Sequence, residues 1–178
     1  MKFKKLLVVI FMTPLLLLGC NQSKEKAVSS QDLWKKNPVD VVARYVENLG
    51  NEKRFESVYT DVDTSYEANS ENHGYFNIDN KEKIKKTDEE FNASIKKTTL
   101  VSALPTFDQE KNKNPITVKN KNGKFTKFYN PISLDIAYKT EYKENAQPLA
   151  YEKDLNNLLI FLLVRDNNGD YKILATYN

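Results

Sequence analysis

The sequence predicts an α+β domain in which N-terminal helices pack on an antiparallel sheet, set behind a short leader and a polar tether. Three observations carry the prediction. Apolar side chains recur at helical spacing between residues 38 and 62. The period becomes twofold from Thr98 onward. Asn122-Gly123 and Asp166-Asn167-Asn168-Gly169-Asp170 are turn signals between apolar runs too short to be helices. With 178 residues the chain suffices for one domain with its own core and is too short for two.

Residues 1 to 19 form the leader. Lys2, Lys4 and Lys5 precede an apolar stretch from Leu6 to Leu18 that is broken only by Thr13 and Pro14. As a helix this stretch would span about 20 Å, against a hydrocarbon core of roughly 30 Å. A signal peptide therefore fits better than a transmembrane helix. Residues 20 to 32 (CNQSKEKAVSSQD) have almost nothing to bury and read as a tether, whose reach from Asn21 to Asp32 is at most roughly 40 Å. Residues 33 to 178 form the single domain.

Within the domain, Asn37-Pro38 is a helix start with asparagine as the cap and proline in the first turn. Val41, Val42, Tyr45, Val46 and Leu49 follow at helical spacing, and Gly50 supplies the stop. Phe55, Val58, Tyr59 and Val62 suggest a second helix. Residues 63 to 74 read as a loop and Tyr75 to Ile78 as a short strand. Thr87-x-x-Glu90 has the form of a capping box opening a third helix, with Phe91 and Ile95 on its inner face. From Ile132 to Tyr142, apolar Ile132, Leu134, Ile136, Tyr138 and Tyr142 alternate with Ser133, Asp135, Lys139 and Glu141, which marks a strand with one face in the core. Leu158 to Val164 is apolar throughout, as in a central strand covered on both sides. Tyr171 to Tyr177 returns as the last strand.

The formal charge of +3 belongs to the leader. Of 27 basic side chains, three precede Leu6, and the remaining 24 are matched by 24 acidic ones. A nucleic-acid binder gains affinity by releasing counterions along a basic face, so the mature chain lacks the overall excess such a partner requires. No nucleic acid is expected as a partner.

The end of the leader, Leu17-Leu18-Gly19-Cys20, resembles the lipobox of bacterial lipoproteins. The resemblance implies cleavage between Gly19 and Cys20, a diacylglyceryl thioether on Cys20, and a mature chain held by two acyl chains, which anchor stably where one does so only marginally. An ordinary signal followed by a free cysteine is the alternative. The expected location is the extracytoplasmic face of a bacterial cell membrane, and the abundance of lysine and asparagine points to a Gram-positive host with an AT-rich genome.

The element order also resembles the nuclear transport factor 2-like (cystatin-like) superfamily. The stretch Pro38-Val39-Asp40-Val41-Val42-x-x-Tyr45-Val46 is similar to the first helix of small lipoproteins of this type, and Gly169-Asp170-Tyr171-Lys172-Ile173 to their terminal hairpin. The resemblance implies helices set in the concavity of a strongly curved sheet. Ketosteroid-isomerase and polyketide-cyclase members place a carboxylate base, or a His/Asp pair, inside the resulting cone. Here the inward positions are apolar or phenolic, and Tyr45, Ile136, Tyr138 and Tyr142 are the candidate cavity lining.

Other chemistry has plainer explanations. His73 is the only histidine and has no partners at metal or triad spacing. Asp166, Asn168 and Asp170 have the spacing of the first calcium-loop ligands, but glycine stands at the fourth position and no glutamate at the twelfth. The lysines between Lys111 and Lys127 could meet anionic headgroups or wall polymers, or simply discourage edge pairing of a hairpin. Asp61 with Asp63, and Glu89 with Glu90, lack a hydrophobic setting that would separate their pKa values. No catalytic residue, cofactor or metal is expected.

The function expected is a non-enzymatic binding or assembly module for a protein or envelope component. A small-ligand carrier or enzyme using the cone, and a component of conjugation or secretion machinery, are the alternatives. A two-lobed solute-binding protein does not fit in a domain of this length.

Overall fold

Asn37 is extended (φ −116°, ψ 120°) and its side chain accepts the Val39 amide, so helix α1 (Pro38–Glu47) begins where the Asn-Pro signal stands. The computed structural model describes residues 30–65, 74–106, 115–146 and 158–177. The leader, Gly19 and Cys20, most of the tether, and His73 lie outside the described residues. Ahead of α1, a 3-10 helix (Ser30–Lys36) is tied down by Lys36, whose ammonium lies 2.7 Å from Asp170 and donates to the Asn168 carbonyl at 2.8 Å.

Helix α1 buries Val41, Val42, Tyr45 and Val46, one face at the spacing the sequence set out. At its end the Val46 carbonyl accepts the Leu49 amide in the closing turn and also the Thr98 hydroxyl from the sheet. Gly50 then turns the chain with φ +78°.

The second helix is not formed. Asn51 caps a 3-10 helix (Glu52–Ser57), after which Val58 is extended (φ −103°, ψ 143°), bridges in parallel to Ile173, and is followed by Tyr59 donating its amide to the Ile173 carbonyl. The stretch of the last strand around Ile173, beyond its pairing with residues 74 and 75, offers hydrogen bonds to this segment, and Val58 and Val62 are β-branched side chains suited to an extended backbone. Phe55, Val58, Tyr59 and Val62, which helical spacing puts on one face, divide between two cores.

Helix α2 (Lys81–Ser94) begins at Asn80, whose side chain accepts the Lys83 amide, and not at Thr87. Thr87 lies mid-helix with its hydroxyl donating to the Lys83 carbonyl. Ile95 is not on the inner face of a helix but is the buried first residue of a strand. Among the described residues α1 and α2 are the two α-helices, and no helix is long and apolar enough to cross a membrane.

Strands β1 (Gly74–Tyr75), β2 (Ile95–Pro105), β5 (Ile132–Tyr142), β6 (Leu158–Arg165) and β7 (Tyr171–Tyr177) make an antiparallel sheet in the order β1-β7-β6-β5-β2. The short strand expected at Tyr75 to Ile78 is therefore shifted to Gly74–Tyr75, which pair with Thr176 and Ala175. Strands β3 (Ile116–Lys119) and β4 (Phe125–Phe128) form a separate hairpin, turning through Gly123 at φ +79°.

The central strand β6 is covered on both faces, as its unbroken apolar run predicts. Phe161 and Leu163 join Leu134, Ile136, Ile173 and the buried face of α1, while Leu162 and Val164 join Val118 and Phe128 of the hairpin. The architecture is thus α+β, with α1 on one face of a five-stranded antiparallel sheet and the hairpin on the other. The strong curvature expected from the resemblance is not present. Register shifts fall on the edge strand β2 and at one point between β6 and β7, while β5 pairs with β6 without interruption.

Candidate functional site

The C-terminal end of α1, the 3-10 helix Glu52–Ser57, the segment after β1 and the inner side of α2 enclose a cleft of about 490 Å³. Tyr45 and Tyr138 bring it down to the sheet. Tyr45 is fixed by two edge-to-face contacts, with Phe76 (centroids 5.5 Å, 62°) and Phe161 (5.4 Å, 83°). Burial pushes its hydroxyl well above the ordinary tyrosine range, partly offset by the positive charge of Arg54, so the phenol is neutral at physiological pH.

Arg54 is the cleft's buried cation, 7 % exposed. Asp88 of α2 meets its guanidinium fork to fork, with Nη2 2.8 Å from Oδ1 and Nη1 2.9 Å from Oδ2. Nη1 also donates to the Asn51 carbonyl at 2.8 Å, and the guanidinium lies 4.3 Å from the centroid of Phe55. A carbonyl, a carboxylate and a ring therefore hold one side chain in one orientation.

The approach of α2 to this corner depends on Gly50. A Cβ there would lie 2.6 Å from Phe91 Cδ1 and 2.6 Å from Asn92 Oδ1, in a backbone conformation that side chains disfavour. Asn92 uses the closeness to donate from Nδ2 to the Gly50 carbonyl at 2.7 Å. Asn77, Asn80, Lys83 and Thr87 complete a polar rim around walls formed by Leu49, Phe55, Phe76, Ile84 and Phe91.

No protein-family model matches the chain, and neither a curated protein nor a solved structure matches it.

Of the residues expected to line a cavity, Tyr45 and Tyr138 do so. Ile136 does not, because it is fully buried in the core with α1, and Tyr142 does not, because it lies at the far end of β5 opposite Ile95. Sequence reasoning missed Arg54 and Asp88, which are far apart in the chain and sit among many surface charges. One signal was available. The chain has three arginines among its 27 basic residues. Arg44 lies over Trp34 (4.8 Å), Arg54 over Phe55 and Arg165 over Tyr171 (4.4 Å). Where lysine is the ordinary surface cation, arginine marks places that need a planar fork.

The remaining sequence candidates have structural roles in the described residues. Asp166 Oδ1 accepts the Asn168 and Asp170 amides at 2.8 and 3.0 Å, and Asp170 pairs with Lys36, which makes the segment a hairpin turn. Among the described residues no group of three His, Cys, Asp or Glu side chains could hold a metal. Asp61 accepts the Lys121 amide at 3.1 Å. Asp63 is held below the ordinary carboxylate range by hydrogen bonds from the Ser65 hydroxyl and from Lys119. Glu89 and Glu90 are exposed beside Lys85 and Lys86. In the lysine-rich segment, Lys119 pairs with Asp63 at 3.0 Å and Lys121 with Asp79 at 2.7 Å, while residues 111–114 lie outside the described residues.

Proposed function

We propose that the protein is a bacterial lipoprotein, anchored through a diacylglyceryl group on Cys20 at the extracytoplasmic face of the cell membrane, which binds a small ligand without chemical conversion in the cleft between α1 and α2. The single observation that carries the binding reading is the cleft itself. It is open, it has the volume of a small-molecule site, and its aromatic walls converge on a buried, oriented guanidinium. An assembly module has no need of such a cavity, so the cleft favours a carrier over a scaffold. The membrane address rests on Leu17-Leu18-Gly19-Cys20. The assignment to the nuclear transport factor 2-like superfamily rests on the order of helices before antiparallel strands.

Native mass spectrometry of the full-length protein, extracted from membranes in mild detergent, tests the binding reading. A co-purified small molecule is expected, and Leu49→Trp, which fills the cleft, should remove it. Retention of the same molecule by Leu49→Trp places the ligand elsewhere and ends this reading. For the anchor, Cys20→Ser should move the protein from the membrane fraction to the soluble fraction. Continued sedimentation with membranes after a high-salt wash defeats the lipoprotein assignment.

A further inference from the structure

A two-bond ion pair across the cleft joins its most buried cation to the more exposed of the two helices. Arg54 is held by its own turn and by Phe55, whereas the carboxylate filling its fork comes from α2, none of whose residues is fully buried. Asp88 is thus carried by an element none of whose side chains belongs to either core cluster. Besides this pair, the described links of α2 to the body are polar or half-buried. They are Asn92 to the Gly50 carbonyl, Lys143 Nζ to the Asn92 carbonyl, the Lys143 amide to the Ser94 carbonyl, and the side chains of Ile84 and Phe91.

Removing a buried guanidinium's partner is costly, because the charge is left uncompensated, but exchanging one carboxylate for another keeps it paired throughout. The two parallel bonds from Arg54 match a carboxylate in geometry and in charge. The walls beside it, Tyr45, Phe55, Phe76, Phe91 and Tyr138, suit a flat or branched apolar body. Lys83 adds a second cation to the same lining.

We propose that Arg54 is the anion-recognition group of the cleft and Asp88 its resident internal carboxylate, so that the cleft takes a monocarboxylate with an aromatic or branched apolar body, which displaces Asp88 and loosens α2. This rests on the cleft being a ligand site, as proposed above, and adds the ligand's class and the means by which the empty site is kept satisfied. A pair that only fastened α2 would give no gain of carboxylate affinity on losing Asp88.

The test is isothermal titration of the full-length protein in non-ionic detergent with 3-phenylpropionate and with its neutral amide. The acid should bind wild type at least about tenfold more tightly than the amide, because a charge-assisted fork is lost with the amide. Asp88→Asn should tighten acid binding by about tenfold or more, and Arg54→Leu should weaken it by a similar factor. Equal binding of acid and amide, or no gain in a folded Asp88→Asn protein, overturns the inference. In that case amide binding that disappears in Leu49→Trp leaves the cleft as a binding site, whereas no binding of either probe to any variant defeats both readings. Should Asp88→Asn not fold, hydrogen exchange on wild type decides the matter. Saturating 3-phenylpropionate should speed exchange across Lys81–Ser94, and slowed or unchanged exchange there overturns displacement.

Discussion

Helix α1 opens on Asn37, whose side chain accepts the Val39 amide, and α2 opens on Asn80, whose side chain accepts the Lys83 amide; yet α1 buries Val41, Val42, Tyr45 and Val46, while no residue of α2 is fully buried. Capping decides where each helix begins and has no part in what holds it to the protein. Burial of each valine of α1 contributes roughly 1.5 to 3 kcal/mol. By contrast, among the described contacts α2 is held by one ion pair, three hydrogen bonds to backbone carbonyls and two half-buried apolar side chains. A helix of the first kind belongs to the cooperative core. One of the second kind is fastened to the protein mainly through polar contacts.

The largest contrast should come from placing a carboxylate at equivalent points of the two helices. Val42→Asp puts an unpaired charge at a fully buried position, and the loss should reach several kcal/mol, comparable with the whole stability of a small domain. Ile84→Asp on half-buried α2 should cost only about 1 kcal/mol. Urea unfolding followed by circular dichroism measures both, and equal losses would erase the distinction between the helices.

Gly50→Ala should have an intermediate effect, roughly 1 to 3 kcal/mol, because it adds a side chain at φ +78° and drives it against Phe91 and Asn92. The damage should concentrate on α2, with faster hydrogen exchange in Lys81–Ser94 and little change in α1. Uniform acceleration through both helices would show that α2 is part of the core after all. The smallest effect should be that of Lys85→Ala. Its pairing with Glu89 spans 3.8 Å between side chains that are 78 % and 67 % exposed, and removing it should change the unfolding free energy by no more than about 0.5 kcal/mol. A loss above that size would mean that the outer face of α2 is also engaged.

The turn segments and the apolar run of the central strand were legible, whereas the alternation of β5 was only partly so, because Ser133, expected on its outer face, is fully buried. Asn122-Gly123 turns the β3–β4 hairpin, and the apolar run of β6 reflects a strand covered twice. Thr87-x-x-Glu90 misled because its capping-box pattern has another use. Inside a helix that has already begun at Asn80, the threonine hydroxyl turns back to the Lys83 carbonyl. The spacing of Phe55, Val58, Tyr59 and Val62 misled for a different reason. Apolar periodicity assumes one burying surface, and this segment runs along a sheet edge with a core on either side.

By itself the sequence determined the lipobox pattern at Leu17 to Cys20, the start and buried face of α1, and the hairpin turns, each through signals carried within a few residues. Only the tertiary structure decided that Arg54 meets Asp88, that Tyr45 and Tyr138 line a cleft while Ile136 is sealed in the core, and that Gly50 lets α2 approach. Those outcomes join residues distant in the chain, and their energies exist only once desolvation and close packing have brought the partners together.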